Sequence, residues 1–72
     1  MTVQYKGYII RPNSHELPDG KWLPVAELEI YHGGSTHVKP PVRAKPNESR
    51  MTKAQADQVA LEMAKQWIDA KG

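Results

Sequence analysis

Few side chains in this sequence can do chemistry, and they are scattered. His15, His32 and His37 are the only imidazoles, and imidazole is the commonest metal ligand and the usual general base near neutral pH. A metal site needs its ligands at a spacing that lets them converge. These three fall in different loops and strands without a repeated spacing, so they read as solvated or hydrogen-bonded histidines. Ser14, Ser35 and Ser49 are nucleophiles by type, yet none has the strand-to-helix elbow that exposes a reactive serine. His32-Gly33-Gly34-Ser35 superficially resembles a glycine-rich phosphate loop. Such a loop opens a helix whose N–H groups hold the anion, whereas this one leads into a strand and reads as a hairpin turn. No pair of carboxylates, and no His-carboxylate group, is brought together by the sequence. No catalytic residue, metal or cofactor is therefore expected, and the chain reads as a non-enzyme.

What remains is charge. Between His37 and Arg50 stand Lys39, Arg43, Lys45 and Arg50 with Glu48 alone against them, while residues 12–31 hold Glu16, Asp19, Glu27 and Glu29 against Lys21 alone. A basic run of this kind is a solvated edge or a site for phosphate or an acidic partner. The overall charge of +2 over 72 residues is too mild to decide between them.

The same length bounds the elements that must position these groups. The sequence reads as one domain, residues 1–72, with a small core. There is no cysteine, so neither a disulfide nor a thiolate metal site staples it. That suits a reducing cytosol. The beginning, MTVQYKGYII, has no apolar run long enough for a signal peptide, and nothing approaches the ~20 apolar residues of a membrane span. A soluble cytoplasmic protein is expected.

Three strands are predicted, over 4–11, 22–31 and 36–44. The second alternates Ala26, Leu28 and Ile30 with Glu27 and Glu29, and the third alternates Val38 and Val42 with His37, Lys39 and Arg43. Pro40 and Pro41 cannot donate to a ladder, so the third strand belongs at an edge or breaks there.

Parity decides the turns. A two-residue Asp19-Gly20 turn would set Ile10 against Glu29 and throw the apolar sets onto opposite faces. A three-residue Pro18-Asp19-Gly20 loop, closed by a left-handed glycine, sets Ile10 against Leu28, Tyr8 against Ile30 and Arg11 against Glu27. A one-residue slip exchanges every face, so the three-residue loop is predicted. By the same reasoning an odd loop, 32–34 or 33–35, is expected at the second turn, because a two-residue Gly33-Gly34 turn would place His37 beside Ile30.

After the loop AKPNESR comes a helix over 53–70. Thr52 and Gln55 have capping-box spacing, and Met51 and Ala56 have the spacing of a hydrophobic staple. Ala56, Val59, Ala60, Met63, Ala64, Trp67 and Ile68 form one apolar stripe. The fold class is α+β: a three-stranded antiparallel meander with one C-terminal helix on one face. Trp67 belongs to the core and Trp22 to its edge.

One helix covers one face of such a sheet. The other face is predicted to show Ile9, Arg11, Glu27, Glu29, Tyr31, His37, Lys39 and Arg43, with Leu23 and Val25 near its end. Either the start of the second strand buries Leu23 and Val25 under the 12–17 segment, or the face meets another molecule. The candidate binding residues are Ile9, Arg11, Tyr31, His37, Lys39, Arg43, Lys45 and Arg50. The expected partner is a protein or a second copy of the chain. The alternative is RNA or DNA bound by the basic strand and its following loop.

The succession YKGYIIRP, LPDGKWLPVAELEI, a polar hairpin and TKAQADQVALEMAKQWID resembles a family of small uncharacterised bacterial domains. More distantly, strands with a DG turn before the second and a helix at the end resemble HicB-like antitoxin domains and the ββα end of double-stranded-RNA-binding domains. The resemblance covers nearly the whole chain, its motifs are structural ones, and it implies the β-β-β-α order.

Overall fold

The computed structural model describes residues 2–71; Met1 and Gly72, the ends of the predicted domain, lie outside the described residues. The chain reverses almost at once. Lys6 and Gly7 both have positive φ, 50° and 82°, as a two-residue hairpin turn matched to strand twist requires. The predicted strand over 4–11 is therefore two strands, β1 (Val3–Tyr5) and β2 (Tyr8–Pro12), with Val3 opposite Ile10 and Tyr5 opposite Tyr8. The meander is not three-stranded. After β3 (His15–Glu16), β4 (Trp22–Leu23), β5 (Val25–His32) and β6 (Ser35–Arg43), the main sheet has four strands in the order β1-β2-β5-β6, and β3-β4 form a two-stranded extension. Lysine rarely takes positive φ, so nothing at Lys6 announced the extra turn.

The first long hairpin has the register that parity requires. Leu17 N–H donates to Lys21 O at 2.7 Å and Gly20 N–H to Leu17 O at 2.9 Å, with Gly20 at φ 84°. Pro18-Asp19-Gly20 is the three-residue loop. From there the pairing runs without a slip through Glu16–Trp22 and His15–Leu23 to Arg11–Glu27, Ile10–Leu28 and Tyr8–Ile30.

The second hairpin departs from expectation. His32 pairs with Ser35, and Gly33 and Gly34 have φ of 60° and 85°. This is the two-residue turn, not an odd loop. Ile30 does face His37 and Leu28 faces Lys39. Parity is restored further along, where the register shifts between Leu28 and Ala26 and returns Val42 to Ala26. The extra residue is taken up at Pro40-Pro41, opposite Glu27. A bulge suits this place, since it leaves a residue outside the ladder and proline has no N–H to lose.

A short 3₁₀ turn (Pro46–Glu48) leads to the helix α1 (Lys53–Lys71). Thr52 Oγ1 accepts from Gln55 N–H at 3.1 Å, the predicted cap. Met51 is 72 % exposed and forms no buried staple. The buried helical residues are Ala56, Ala60, Leu61, Ala64 and Ile68; Val59, Met63 and Trp67 are half-buried. The stripe is thus centred nearer Leu61 than the spacing suggested. Small alanines bring the helix down onto Ile10, Ala26 and Leu28, with Val3, Tyr5, Tyr8, Val42 and Trp67 around them. Trp67 meets Tyr8 edge-on, centroids 6.0 Å apart. Trp22 is half-buried and stands outside this cluster. Its backbone exchanges two hydrogen bonds with Arg50 instead, at 2.8 and 2.9 Å.

Candidate interaction face

Residues directly opposite each other in neighbouring strands share a face, so the register defines what the uncovered side of the sheet presents. One row runs Gln4, Ile9, Glu29, Val38 across all four strands. On one side of it lies the pair Arg11–Glu27. On the other lies Tyr31, beside Thr36 and bonded through its N–H to Gly7 O at 3.0 Å. Tyr31 is 58 % and Val38 81 % exposed, and Ile9 is half-buried. An open groove of about 450 Å³ is lined by Gln4, Tyr5, Lys6, Gly7, Tyr8, Ile9 and Tyr31. Val25 is buried and Leu23 half-buried, so the apolar side chains left open here are Ile9, Tyr31 and Val38.

The charges on this face are largely matched. Arg11 stands opposite Glu27 as predicted, yet its guanidinium forms its ion pair diagonally with Glu29. Glu27 accepts a long hydrogen bond from Asn13 Nδ2, 3.4 Å. Arg43 lies beyond, opposite Val25.

Not all of the predicted binding residues come together. Ile9, Arg11, Tyr31 and Arg43 share the open face. His37 and Lys39 do not: the two-residue turn puts them opposite Ile30 and Leu28, on the helix side. Lys45 precedes the 3₁₀ turn. Arg50 is engaged in its own loop, donating from Nη1 to Glu48 O at 2.6 Å and Ser49 O at 3.3 Å. Gln4, Thr36 and Val38 are face residues that sequence reasoning missed. A Gly-Gly pair is a strong two-residue hairpin signal, and weighting it over the apolar alternation would have placed Val38 correctly.

A second polar cluster closes the sheet onto the helix. Tyr5 Oη donates to both oxygens of Asp69, at 2.9 and 3.0 Å, and Lys6 Nζ donates at 2.6 Å. Hydrogen bonds from Lys6 and Tyr5 hold the Asp69 carboxyl below the usual carboxylate range. The same carboxylate raises both the Tyr5 phenol and the Lys6 ammonium. A phenol and an amine that hold their protons more tightly are poorer nucleophiles, so the geometry serves as a clasp. Lys65 lies 5.6 Å from the Tyr5 ring centre and Lys71 4.9 Å from that of Trp67. At the other end, Ser14 N–H donates to Asp57 Oδ1 at 3.0 Å, and Lys53 Nζ reaches Oδ2 at 2.8 Å. Burial pushes the Asp57 carboxyl up, but Lys53 and Ser14 outweigh it and hold the group low.

Among the described residues no three His, Asp or Glu side chains lie where they could hold a metal ion, and no helix is long and apolar enough to cross a membrane. Over residues 1–72 the sequence matches the family described as a domain of unknown function, DUF6566. The chain belongs to that family. Comparison with curated proteins and with solved structures found no match. The family covers the whole chain, in keeping with the expected small uncharacterised domain.

Proposed function

We propose that this chain is a non-enzymatic binding module that takes a protein partner on the open face of its sheet. The observation that carries the reading is the exposure of Tyr31 and Val38, on the same face as the half-buried Ile9, where no helix covers the sheet. Ile9 and Tyr31 line one groove, with Val38 on the same face across Glu29, and exposed apolar side chains that share a face mark interaction sites more often than scattered ones do. A relation to HicB-like antitoxin domains, and a bacterial cytoplasmic setting, belong to the same proposal. The alternative, RNA or DNA bound by His37, Lys39, Arg43, Lys45 and Arg50, needs those cations to reach one phosphate backbone together. The register favours it less, since Lys39 and Arg43 stand on opposite faces.

The test is a photo-crosslinking amino acid placed at Tyr31 in cells, with Glu62 on the outer side of the helix as control. Protein adducts are expected from position 31 and not from 62. Equal labelling at both positions, or none at 31, refutes the reading.

A further inference from the structure

We infer that the occupant of the open face is a second copy of this chain, packed face to face about a two-fold axis that runs along the strands between β2 and β5. The inference rests on the binding face proposed above and names its partner.

The strand order makes this axis natural. Because β2 and β5 are the inner strands and β1 and β6 the outer ones, the rotation lays β2 over β5 of the second copy and β1 over β6, with rows preserved. Aligned sheets pack in this way at about 10 Å separation and about −30°. Each row then meets a fitting one. Tyr31 comes over Gly7 of the second copy, which has no side chain and where even a Cβ would meet nothing within 4 Å. Val38, the most exposed of the large apolar side chains among the described residues, comes over Gln4, which lines the groove. Arg11 comes over Glu27. Ile9 comes over Glu29, whose carboxylate is already paired with its own Arg11 and so costs less to cover.

Charge points the same way. The face holds Arg11 and Arg43 against Glu27 and Glu29, a net charge of zero, with Arg11 and Glu27 opposite each other in one row. An isologous interface requires a patch to complement itself. A guanidinium has donors to spare for a second carboxylate, so Arg11 can keep Glu29 within the chain and reach Glu27 across the axis.

The experiment uses sedimentation across a concentration series up to millimolar, with circular dichroism on each protein to confirm folding. Wild type is expected to reach the dimer mass. Glu27→Arg alone sets Arg against Arg11 across the axis, and Arg11→Glu alone sets Glu against Glu27; each is expected to sediment as a monomer. Mixing the two folded variants is expected to give a one-to-one heterodimer, because every cross-axis pair is again of opposite sign. Effects confined to each chain cannot produce that rescue. Tyr31→Ala, a milder change at an exposed site, is expected to weaken the dimer about tenfold or more.

A monomeric wild type, a mixture of folded variants that stays monomeric, or an unchanged dissociation constant for Tyr31→Ala overturns the inference. If wild type is monomeric while position 31 crosslinks to a protein of another mass, self-association is wrong and the binding face stands. If position 31 captures nothing as well, both are wrong.

Discussion

The two hairpins that share β5 solve the same problem in different ways. In the first, turn chemistry and apolar pattern agree: a Pro-Asp-Gly loop of three residues brings Ile10 to Leu28, and the register never slips. In the second they conflict. Gly33-Gly34 forms the tight turn its residues favour, which puts His37 and Lys39 on the apolar side. The chain then corrects itself at Pro40-Pro41 and returns Val42 to Ala26. Local turn geometry is satisfied first, and a bulge far from the turn repairs the face. The consequence is functional as well as architectural, since the uncorrected stretch is what leaves Val38 on the open side.

The contrast breaks most sharply on burial. Leu28, at 0 % exposed, anchors the first hairpin, whereas Val38, at 81 %, belongs to the uncorrected part of the second. Leu28→Ala is expected to cost about 2–5 kcal/mol through lost contacts and a cavity, and Val38→Ala to stay within about 0.5 kcal/mol. Urea unfolding of the two variants measures this, and similar losses at the two sites would count against the packing described.

A subtler change sharpens the account of the bulge. Deleting one of the two prolines leaves Lys39 opposite Leu28 and Val42 opposite Ala26 in an unbroken ladder, with the remaining proline opposite Glu27. In that ladder its nitrogen points away from β5, where no hydrogen bond is lost. The deletion is expected to cost about 1 kcal/mol or less. A collapse of the thermal transition would instead show that the bulge is needed for the sheet's twist.

The smallest effect concerns what pins the first hairpin to the helix. Asp57 holds Ser14 and Lys53 and titrates below its ordinary value. A carboxyl held low in the folded state stabilises it above the unfolded value, about 3.9, and that contribution is lost as the pH falls through the folded value. Asp57→Asn keeps an acceptor for Ser14 N–H but gives up the ion pair with Lys53. It is expected to cost a few tenths of a kcal/mol near neutrality and to flatten the acid limb of stability against pH. Thermal melts between neutral pH and the acid transition test this; an unchanged acid slope would remove Asp57 from the account. Asp69, also held low, adds to the same limb.

Much of this was legible because it follows from spacing of one or two turns. The cap at Thr52, the helix from Lys53, the Ile10–Leu28 register and the α+β class all rest on residues close in sequence, or on parity that one loop sets. Three features were not legible. Lys6 adopts positive φ because the hairpin around it holds it there, and the residue type argues against it. The Pro40-Pro41 bulge is chosen by a conflict between a local turn and a distant core. Leu61 rather than Val59 is buried because the helix is rotated to meet Tyr8, Ile10 and Leu28.

The candidate face divides along the same line. Alternation along β2 and β5 was enough to place Ile9, Arg11 and Tyr31 together, because side chains in a strand change sides at every residue. Whether Lys39 or Val38 joined them depended on a single residue in a turn, and Gly33-Gly34 decided it by closing as a two-residue turn. Sequence by itself determined the α+β class, the C-terminal helix and which way the first long hairpin pairs. The tertiary structure decided the fourth strand, the second register and the open face. The bulge in that second register exists because packing Val42 under the helix is worth more than an unbroken ladder at the edge of the sheet.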